Sequence, residues 1–242
     1  MAHEDERNPN GTMQVPAGRP SAEPGEVAGR LCRVAVDLLP VDCADVLLCG
    51  DGMPVPMAVT CARAEQVMEL QATLGEGPSL LAARTGTPVL AADLTRGRDT
   101  GRWPVFAPLA AAAGVRALYA LPLGSGPCCV GTLDLCRDTP ARLGARDLRT
   151  AQVMAGVVTV ALTALRLGED DTGEEMPWLG ELAAGHDAVH QAVGMIMVRL
   201  RIAADEALAR LRAHCFAHGR TLPEAARDVV ARRIRFEPDP AP

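Results

Sequence analysis

Apolar and polar positions along the chain predict a body rich in β-strands with a helix at each end. The apolar runs 44–50, "ADVLLCG", and 54–61, "PVPMAVTC", are joined by an Asp-Gly turn, which predicts a hairpin. The runs 116–123, "RALYALPL", and 128–136, "CCVGTLDLC", flank a Gly-Pro turn and predict a second hairpin. Residues 88–94, "PVLAADL", predict one further strand.

Helical spacing of apolar residues surrounds and separates these strands. It predicts helices at Val27–Leu39, at Ala64–Leu74 and at Ala145–Leu167, with a short helix opened by the turn at 75–79. Helices that connect two hairpins indicate a mixed antiparallel sheet with helices packed on it. We therefore predict an α+β domain over residues 26–168, preceded by a disordered tail over residues 1–25 that is rich in Pro, Gly, Asn and Glu.

A second, all-helical domain is predicted over residues 178–236. The segment 169–177, "EDDTGEEMP", holds five acidic residues and is typical of a solvated linker, and 237–242 is a short C-terminal tail. Three helices are predicted, at Leu179–Leu200, at Ala204–Ala217 and from "TLPE" to about Ile234. Thr221 and Glu224 in "TLPE" fit a capping box at the start of the third helix.

The first of these three helices carries a heptad repeat. Its apolar residues recur with alternating spacings of three and four, which predicts that the helix pairs with another helix, most simply its own copy. The predicted dimer seam consists of Leu182, Val189, Val193, Ile196 and Leu200. Gly194 lies off this seam and costs about 1 kcal/mol relative to Ala in a helix, so either another helix or a ligand is expected to approach it.

Charge separates the two domains. Residues 179–236 hold nine arginines and six acidic residues, a net charge of +3, which leaves −9 of the total charge of −6 on the rest of the chain. A cationic domain on an acidic body suggests an anionic partner, although solvated helix faces are an alternative. All 24 basic residues are arginine, which excludes lysine Schiff-base chemistry and a P-loop lysine.

The eight cysteines include no C-x-x-C pair and form no ligand-like pattern with histidine, which argues against a metal site. Most lie in apolar, strand-like runs, where cysteine packs as a small hydrophobe. The polar start "MAHEDERNPN" does not resemble a signal peptide, and the longest apolar stretch is too short to span a bilayer. We therefore expect a cytoplasmic protein with reduced thiols and no membrane contact.

The C-terminal sequence resembles an ANTAR domain, the RNA-binding antiterminator module of bacterial response regulators. The resemblance lies in "HQAVGMIMVRLRIAADEALARLRAHCFAHGRTLPEAARDVV", where Gly, Met, the acidic-Ala step and Arg-Leu fall in register. Val193 stands where the family has a basic residue, Gly219 where it has Asn, and Leu208 where it has an aromatic. The resemblance implies an RNA-binding domain of three helices.

The upstream sequence is similar to GAF domains that are fused to ANTAR in actinobacteria. The similarity lies in "LGEGPSLLAARTGTPVLAADL", "RWPVFAPLAAAAGVRALYALPL" and "VGTLDLCRD". It implies a sensor of an unknown small-molecule or redox signal. All five histidines, at 3, 186, 190, 214 and 218, lie outside this domain, and no motif supports bilin attachment, so the sequence argues against haem and bilin cofactors.

Together the resemblances imply a cytoplasmic transcription antiterminator. The GAF domain would control a dimeric ANTAR output that binds stem-loops in nascent mRNA and prevents termination. The expected RNA-binding residues are Arg220, Arg199, Arg201, Ala192, Gly194 and Arg212. We expect the RNA to be recognised mainly by the planar guanidinium groups and by close approach to the backbone at the small residues.

Two other functions remain open on the sequence. The C-terminal domain is alternatively a dimerisation or protein-docking bundle that binds no RNA, which the apolar Val193 favours. An enzymatic alternative is reduction of free methionine sulfoxide by cysteines of the sensor domain, and it requires a thiolate of low pKa. Arg137 beside Cys136 is the only basic residue placed locally to lower a thiol pKa, so we expect no enzyme.

Overall fold

The structure is a computed structural model that describes residues 23–50, 53–124, 126, 129–169 and 177–237. Side chains are described for these residues except 50, 53, 165–169 and 177–187. The predicted tails therefore lie largely outside the described residues, as do 170–176 of the predicted linker and the side chain of Leu182 on the predicted seam. No helix in the described ranges is long and apolar enough to cross a membrane.

Five antiparallel strands form one sheet. The strands are β1 (Cys43–Gly50), β2 (Met53–Val59), β3 (Val89–Ala91), β4 (Ala117–Leu123) and β5 (Gly131–Arg137). Their order in the sheet is β2-β1-β5-β4-β3. Both predicted hairpins are confirmed, as β1–β2 and β4–β5, and the strand predicted at 88–94 is confirmed as the edge strand β3.

Helices cover both faces of the sheet, which confirms the predicted α+β class. The helices of this domain are α1 (Pro24–Leu38), α2 (Ala62–Leu74), α3 (Pro78–Thr85), α4 (Arg98–Arg102), α5 (Phe106–Ala112) and α6 (Ala145–Glu169). Side chains of alternate strand residues form two apolar clusters, one against α1 and α6 and the other against α2, α3 and α5.

Three helices follow and pack around a core of their own: α7 (Pro177–Leu200), α8 (Ala204–His218) and α9 (Leu222–Val230). The predicted capping box opens α9, where the Thr221 N–H donates to the Glu224 carboxylate at 3.0 Å. This helix ends earlier than the predicted Ile234, because Arg232 adopts a left-handed conformation at φ 58° that reverses the chain.

Cys43 and Cys61 form a disulfide bond, so the expectation of reduced thiols is wrong for this pair. Asp45 pairs with Val59 in the β1–β2 hairpin, and the same register extended by two residues places Cys43 opposite Cys61. The bond ties the start of β1 to the residue that precedes α2.

Reduction of this disulfide is expected to lower the free energy of unfolding by about 3 kcal/mol, because the bond closes a loop of 18 residues in the unfolded chain. Denaturant unfolding with and without dithiothreitol measures the difference. The double variant Cys43→Ala/Cys61→Ala should unfold like the reduced chain and should not respond to dithiothreitol. Equal midpoints for the oxidised and reduced wild type would contradict this role for the bond.

Candidate functional site

Cationic and aromatic side chains meet on one side of the C-terminal domain, where the chain after α9 returns to α7. Arg199 near the end of α7 donates through Nε to the Phe236 carbonyl at 2.6 Å, and its Nη2 lies 2.5 Å from the Glu237 carboxylate. The ring of Phe236 makes an edge contact with His214 of α8, with ring centroids 5.6 Å apart. Arg199 of α7 is thus joined to α8 through the folded-back segment.

Arg220 is held by a carboxylate that it shares with a second arginine. Its Nη1 lies 2.5 Å from Asp228 Oδ2, and Arg233 donates through Nε to Asp228 Oδ1 at 2.6 Å. Hydrogen bonds from Arg220 and Arg233 lower the pKa of Asp228, so this carboxylate stays ionised and fixes both guanidinium groups. We call Arg199, His214, Arg220, Arg233 and Phe236 the cationic face.

The histidine of the cationic face favours its neutral form. Burial lowers the pKa of His214, and the nearby His218 and Arg220 lower it further. The His214 ring also stacks on His218 at a centroid distance of 4.0 Å. The face therefore offers uncharged aromatic surface between its arginines.

Two further predicted residues lie at the surface. Arg201 is exposed directly after α7, in a left-handed conformation at φ 57°. A Cβ atom added to Gly194 would meet nothing within 4 Å, so no neighbouring helix of the chain requires a glycine there. Gly194 thus leaves an open stretch of backbone on α7, as a ligand-facing position requires.

Ala192 is fully buried in the core of the C-terminal domain, which corrects its assignment as an RNA-contacting residue. Val189 and Ile196 are buried in the same core against α8 and α9, so they do not lie on a surface that a second copy could pair with. Val193 and Leu200 pack at its edge and are half-buried. The heptad spacing at these described positions is therefore explained by packing within one chain.

Arg212 lies outside the cationic face and contacts the N-terminal domain. It donates through Nε to the Ala72 carbonyl at 3.0 Å, and burial lowers its pKa. Gly75 beside it has φ +70°, and a Cβ there would lie only 3.0 Å from the guanidinium, so glycine allows this approach. Next to it, the Leu222 N–H donates to Thr73 Oγ1 at 3.1 Å. In this structure Arg212 anchors the two domains to each other rather than presenting a cation to RNA.

The end of α2 that receives these contacts is tied to the N-terminus of α3. Gln71 donates through Nε2 to Ser79 Oγ at 2.7 Å and accepts from the Ser79 N–H at 2.9 Å. Both residues are buried, so the pair fixes α2 against α3. The hydroxyl of Ser79 in turn faces the sheet at Asp134.

A pair of buried carboxyl groups in the middle of the sheet was missed by the sequence reasoning. Asp45 of β1 and Asp134 of β5 are directly opposite in register, and both are buried. Burial and the facing Asp134 raise the pKa of Asp45 well above its usual value. Burial raises the pKa of Asp134 to about 7, although the nearby Ser79 and Thr132 hydroxyls act to lower it. Within the described residues neither Asp134 oxygen has a partner in hydrogen-bond geometry.

The free thiols near this pair do not meet the needs of thiol chemistry. Burial, together with the charge of Asp134, raises the pKa of Cys49 to about 12. Burial likewise raises the pKa of Cys136 well above its usual value. These thiols favour the protonated form, which is not the nucleophile. In the part of the chain described, no group of three or more His, Cys, Asp or Glu side chains is arranged to hold a metal ion.

Family models match two parts of the chain, a GAF domain at residues 21–163 and an ANTAR domain at residues 179–230. No curated protein sequence matches it. Among solved structures, the GAF domain/HD domain protein from Geobacter sulfurreducens is 15% identical over 60% of this chain and 95% of its own, with a TM-score of 0.47. A type II free methionine-R-sulfoxide reductase from Thermoplasma acidophilum is 14% identical over 58% and 92%, with a TM-score of 0.44. The blue-light absorbing form of the Thermosynechococcus elongatus PixJ GAF domain is 17% identical over 62% and 90%, with a TM-score of 0.45.

The GAF match covers more than half of the chain and contains the whole five-stranded sheet. The ANTAR match spans α7, α8 and α9. Both family models are of signalling and regulatory domains. The chain therefore belongs to the GAF domain family, and the ANTAR domain that follows makes it a GAF–ANTAR regulator.

Proposed function

We propose that this regulator acts in the cytoplasm as an antiterminator: its ANTAR domain binds stem-loops in nascent mRNA and prevents a terminator hairpin from forming. The observation that carries the proposal is the cationic face, on a domain of an RNA-binding family. Arg199 holds the Phe236 carbonyl, the Phe236 ring contacts His214, and Arg220 lies near enough to His214 to lower its pKa. Arg201, exposed after α7, and Gly194, with open space beside its backbone, remain proposed RNA contacts in addition to this face.

RNA loops offer what this face is equipped to recognise. Unpaired loop nucleotides expose base faces and phosphates, and proteins bind them with arginine planes, aromatic rings and phosphate contacts. Asp228 holds Arg220 and Arg233 in place before RNA arrives, so less side-chain freedom is lost on binding. The arrangement favours a folded loop over an extended strand, because its cations lie on several elements rather than in one groove.

Control by the GAF domain is supported by the contacts between the domains. A change in the sensor domain at Ser79 reaches the end of α2 through Gln71, and α2 contacts Arg212 and the first residue of α9. Leu222 follows Arg220 by two residues, so movement of α2 would displace the loop that carries a principal RNA-binding arginine. The proposed signal is a small molecule or a redox change at the GAF domain.

A homodimer is part of the proposal, because two copies would present two cationic faces to paired stem-loops. The described surface favours α6 over the predicted seam of α7 as the contact. Val153, Val157 and Val160 recur on one face of α6 and are 65%, 44% and 68% exposed. Val34 and Leu38 of the adjacent α1 are also exposed and apolar.

Replacing Arg220 with alanine tests the proposed function. The RNA is the leader recovered by crosslinking the full chain in its own cells and sequencing what is bound. We expect a loss of affinity of about tenfold at low salt, and a slope of log affinity against log salt that is smaller by about one, because one phosphate contact is lost. Fluorescence anisotropy over a salt series measures both quantities.

The control is Arg98→Ala, which removes an exposed arginine of α4 in the GAF domain and should change neither quantity. An unchanged affinity for Arg220→Ala contradicts the site. A wild-type chain that binds no RNA at low salt contradicts the function and leaves the dimerisation or docking bundle as the explanation of the C-terminal domain. Read-through of the leader terminator during transcription in vitro, with and without the chain, tests antitermination itself.

A further inference from the structure

A cavity of about 280 Å³ lies beside the cationic face, between α7 and the chain that follows α9. Its apolar lining consists of Met195, Ile196, Val229, Ile234 and Phe236. Arg199, Arg232 and Arg235 complete the lining. The volume is near the lower end of small-molecule pockets, which begin at about 300 Å³.

The outer wall of the cavity is a segment that the structure fixes at both ends. After α9, the N–H groups of Arg233 and Ile234 both donate to the Asp228 carbonyl, at 2.8 and 3.2 Å. Arg232 supplies the left-handed turn between them and α9. At the far end, Arg199 holds the Phe236 carbonyl. The segment is therefore held by backbone hydrogen bonds at one end and by the Arg199 side chain at the other.

The lining combines apolar surface with three guanidinium groups and suits a flat apolar ring that carries an anion. Of the three arginines, Arg199 is ion-paired with Glu237, while Arg232 and Arg235 are exposed at the rim. An unpaired nucleotide has this combination, because its base is planar and stacks on aromatic rings while its phosphate pairs with arginine. An acidic peptide would satisfy the cations and leave the apolar lining without a matching group.

We propose that this cavity receives one unstacked base of the RNA loop, with Arg232 and Arg235 contacting the flanking phosphates. The proposal rests on the proposed function and adds to it a specific nucleotide subsite. The ANTAR match ends at residue 230, so Arg232, Ile234, Arg235 and Phe236 lie beyond it. The subsite is thus built between a helix of the matched domain and a segment outside the match.

The test combines abasic substitution along the loop of the crosslinked leader RNA with variants of the full chain. For the wild type, we expect one abasic position to weaken binding by about tenfold, the order expected for loss of one stacked base. For Ile234→Trp, which fills the cavity, the same abasic substitution should weaken binding less than twofold. 2-Aminopurine at that position should change fluorescence on binding to the wild type and not on binding to Ile234→Trp.

A second variant removes a rim cation without disturbing the turn. Arg232→Gly keeps the left-handed conformation, which glycine adopts without strain, so the variant should fold and melt like the wild type. It should lower the slope of log affinity against log salt by about one. Arg98→Ala is again the charge-matched control and should leave the slope unchanged.

The outcomes separate this inference from the proposed function. If the wild type binds the leader but no abasic position weakens it, or if Ile234→Trp is as sensitive as the wild type, the subsite is wrong and the RNA-binding function stands. If the wild type binds no RNA, the function fails and the subsite fails with it. If an acidic peptide competes with the RNA for the wild type but not for Arg232→Gly, the cavity belongs to a protein partner and the inference is overturned.

Discussion

The free energy of unfolding of this chain is expected to fall as the pH rises from about 4 to about 7. Asp134 is buried opposite Asp45, and its pKa is about 7 in the folded chain against a usual value of 3.8. In this range the unfolded chain loses the proton of Asp134 while the folded chain keeps it, so ionisation favours unfolding. A shift of this size corresponds to a loss on the order of 4 kcal/mol across the range, since each pKa unit is about 1.4 kcal/mol.

Replacing Asp45 and Asp134 with asparagine distinguishes the contributions of the two carboxyl groups to this pH dependence. Asp134→Asn is expected to reduce the fall in stability with pH, because its amide stays neutral and can donate to Asp45. The double variant Asp45→Asn/Asp134→Asn should remove most of the fall, since burial also raises the pKa of Asp45. Urea unfolding at pH 5, 6, 7 and 8 measures the free energies.

The control for these variants is Asp37→Asn, which changes an exposed carboxyl on α1 and should leave the pH profile of the wild type intact. A double variant that keeps the full dependence on pH would show that the pair does not hold a proton. A wild type whose stability rises between pH 5 and 8 would contradict the sign of the effect.

The disulfide illustrates why the strands were predictable and their exact register was not. Alternating apolar runs around an Asp-Gly turn were sufficient to predict the β1–β2 hairpin. Near that turn Leu48 pairs with Val55, and this register, continued along β1, would place Cys43 opposite Thr60. A bulge after Val46 shifts the register by one residue and brings Cys61 into place instead. No composition or periodicity signal located that bulge.

The C-terminal domain shows a different limit of sequence reasoning. The heptad repeat indicates that one side of α7 is buried. It does not distinguish covering helices of the same chain from those of another chain. Val189 and Ile196 are covered by α8 and α9 of the same chain. Arg199 was predicted, but its contact with Phe236, whose ring meets His214, depends on the chain folding back after α9, where the pattern predicted continued helix.

The sequence does contain an indication of the buried carboxyl pair. Asp45 and Asp134 each interrupt an apolar strand, and a charged residue is rarely fully buried without a partner. Their pairing depends on β1 lying next to β5, which is a contact between residues 89 positions apart and invisible to local patterns. The exposed valines of α6 show the reverse case, since an apolar face on a helix usually marks burial and the structure leaves these residues at the surface of the single chain.

Replacing Val157 of α6 with glutamate is expected to convert the proposed homodimer into a monomer. In a symmetric dimer through α6, each of the two chains places one glutamate in the contact. A buried charge without a partner destabilises the dimer. Glutamate forms helix well and Val157 is already 44% exposed, so the single chain should remain folded. Sedimentation velocity measures the change in mass, and thermal unfolding checks the fold.

The larger expected effect of Val157→Glu is on the affinity for RNA. A dimer that engages two stem-loops of one transcript binds the second as an intramolecular event, which raises overall affinity by about 10²–10⁴. Val157→Glu should lose this factor for an RNA with two stem-loops and should bind an RNA with one stem-loop as well as the wild type does. The comparison of the two RNAs thus separates loss of pairing between chains from damage to the cationic face.

Leu109→Glu is the matched control, because Leu109 of α5 is 41% exposed and lies on the other side of the sheet. It introduces the same charge and should leave both the mass and the affinity for either RNA unchanged. If Val157→Glu stays dimeric, α6 is not the contact. If it becomes monomeric and keeps full affinity for the RNA with two stem-loops, each chain binds alone, and the spacing between the two loops is then not read by a pair of ANTAR domains.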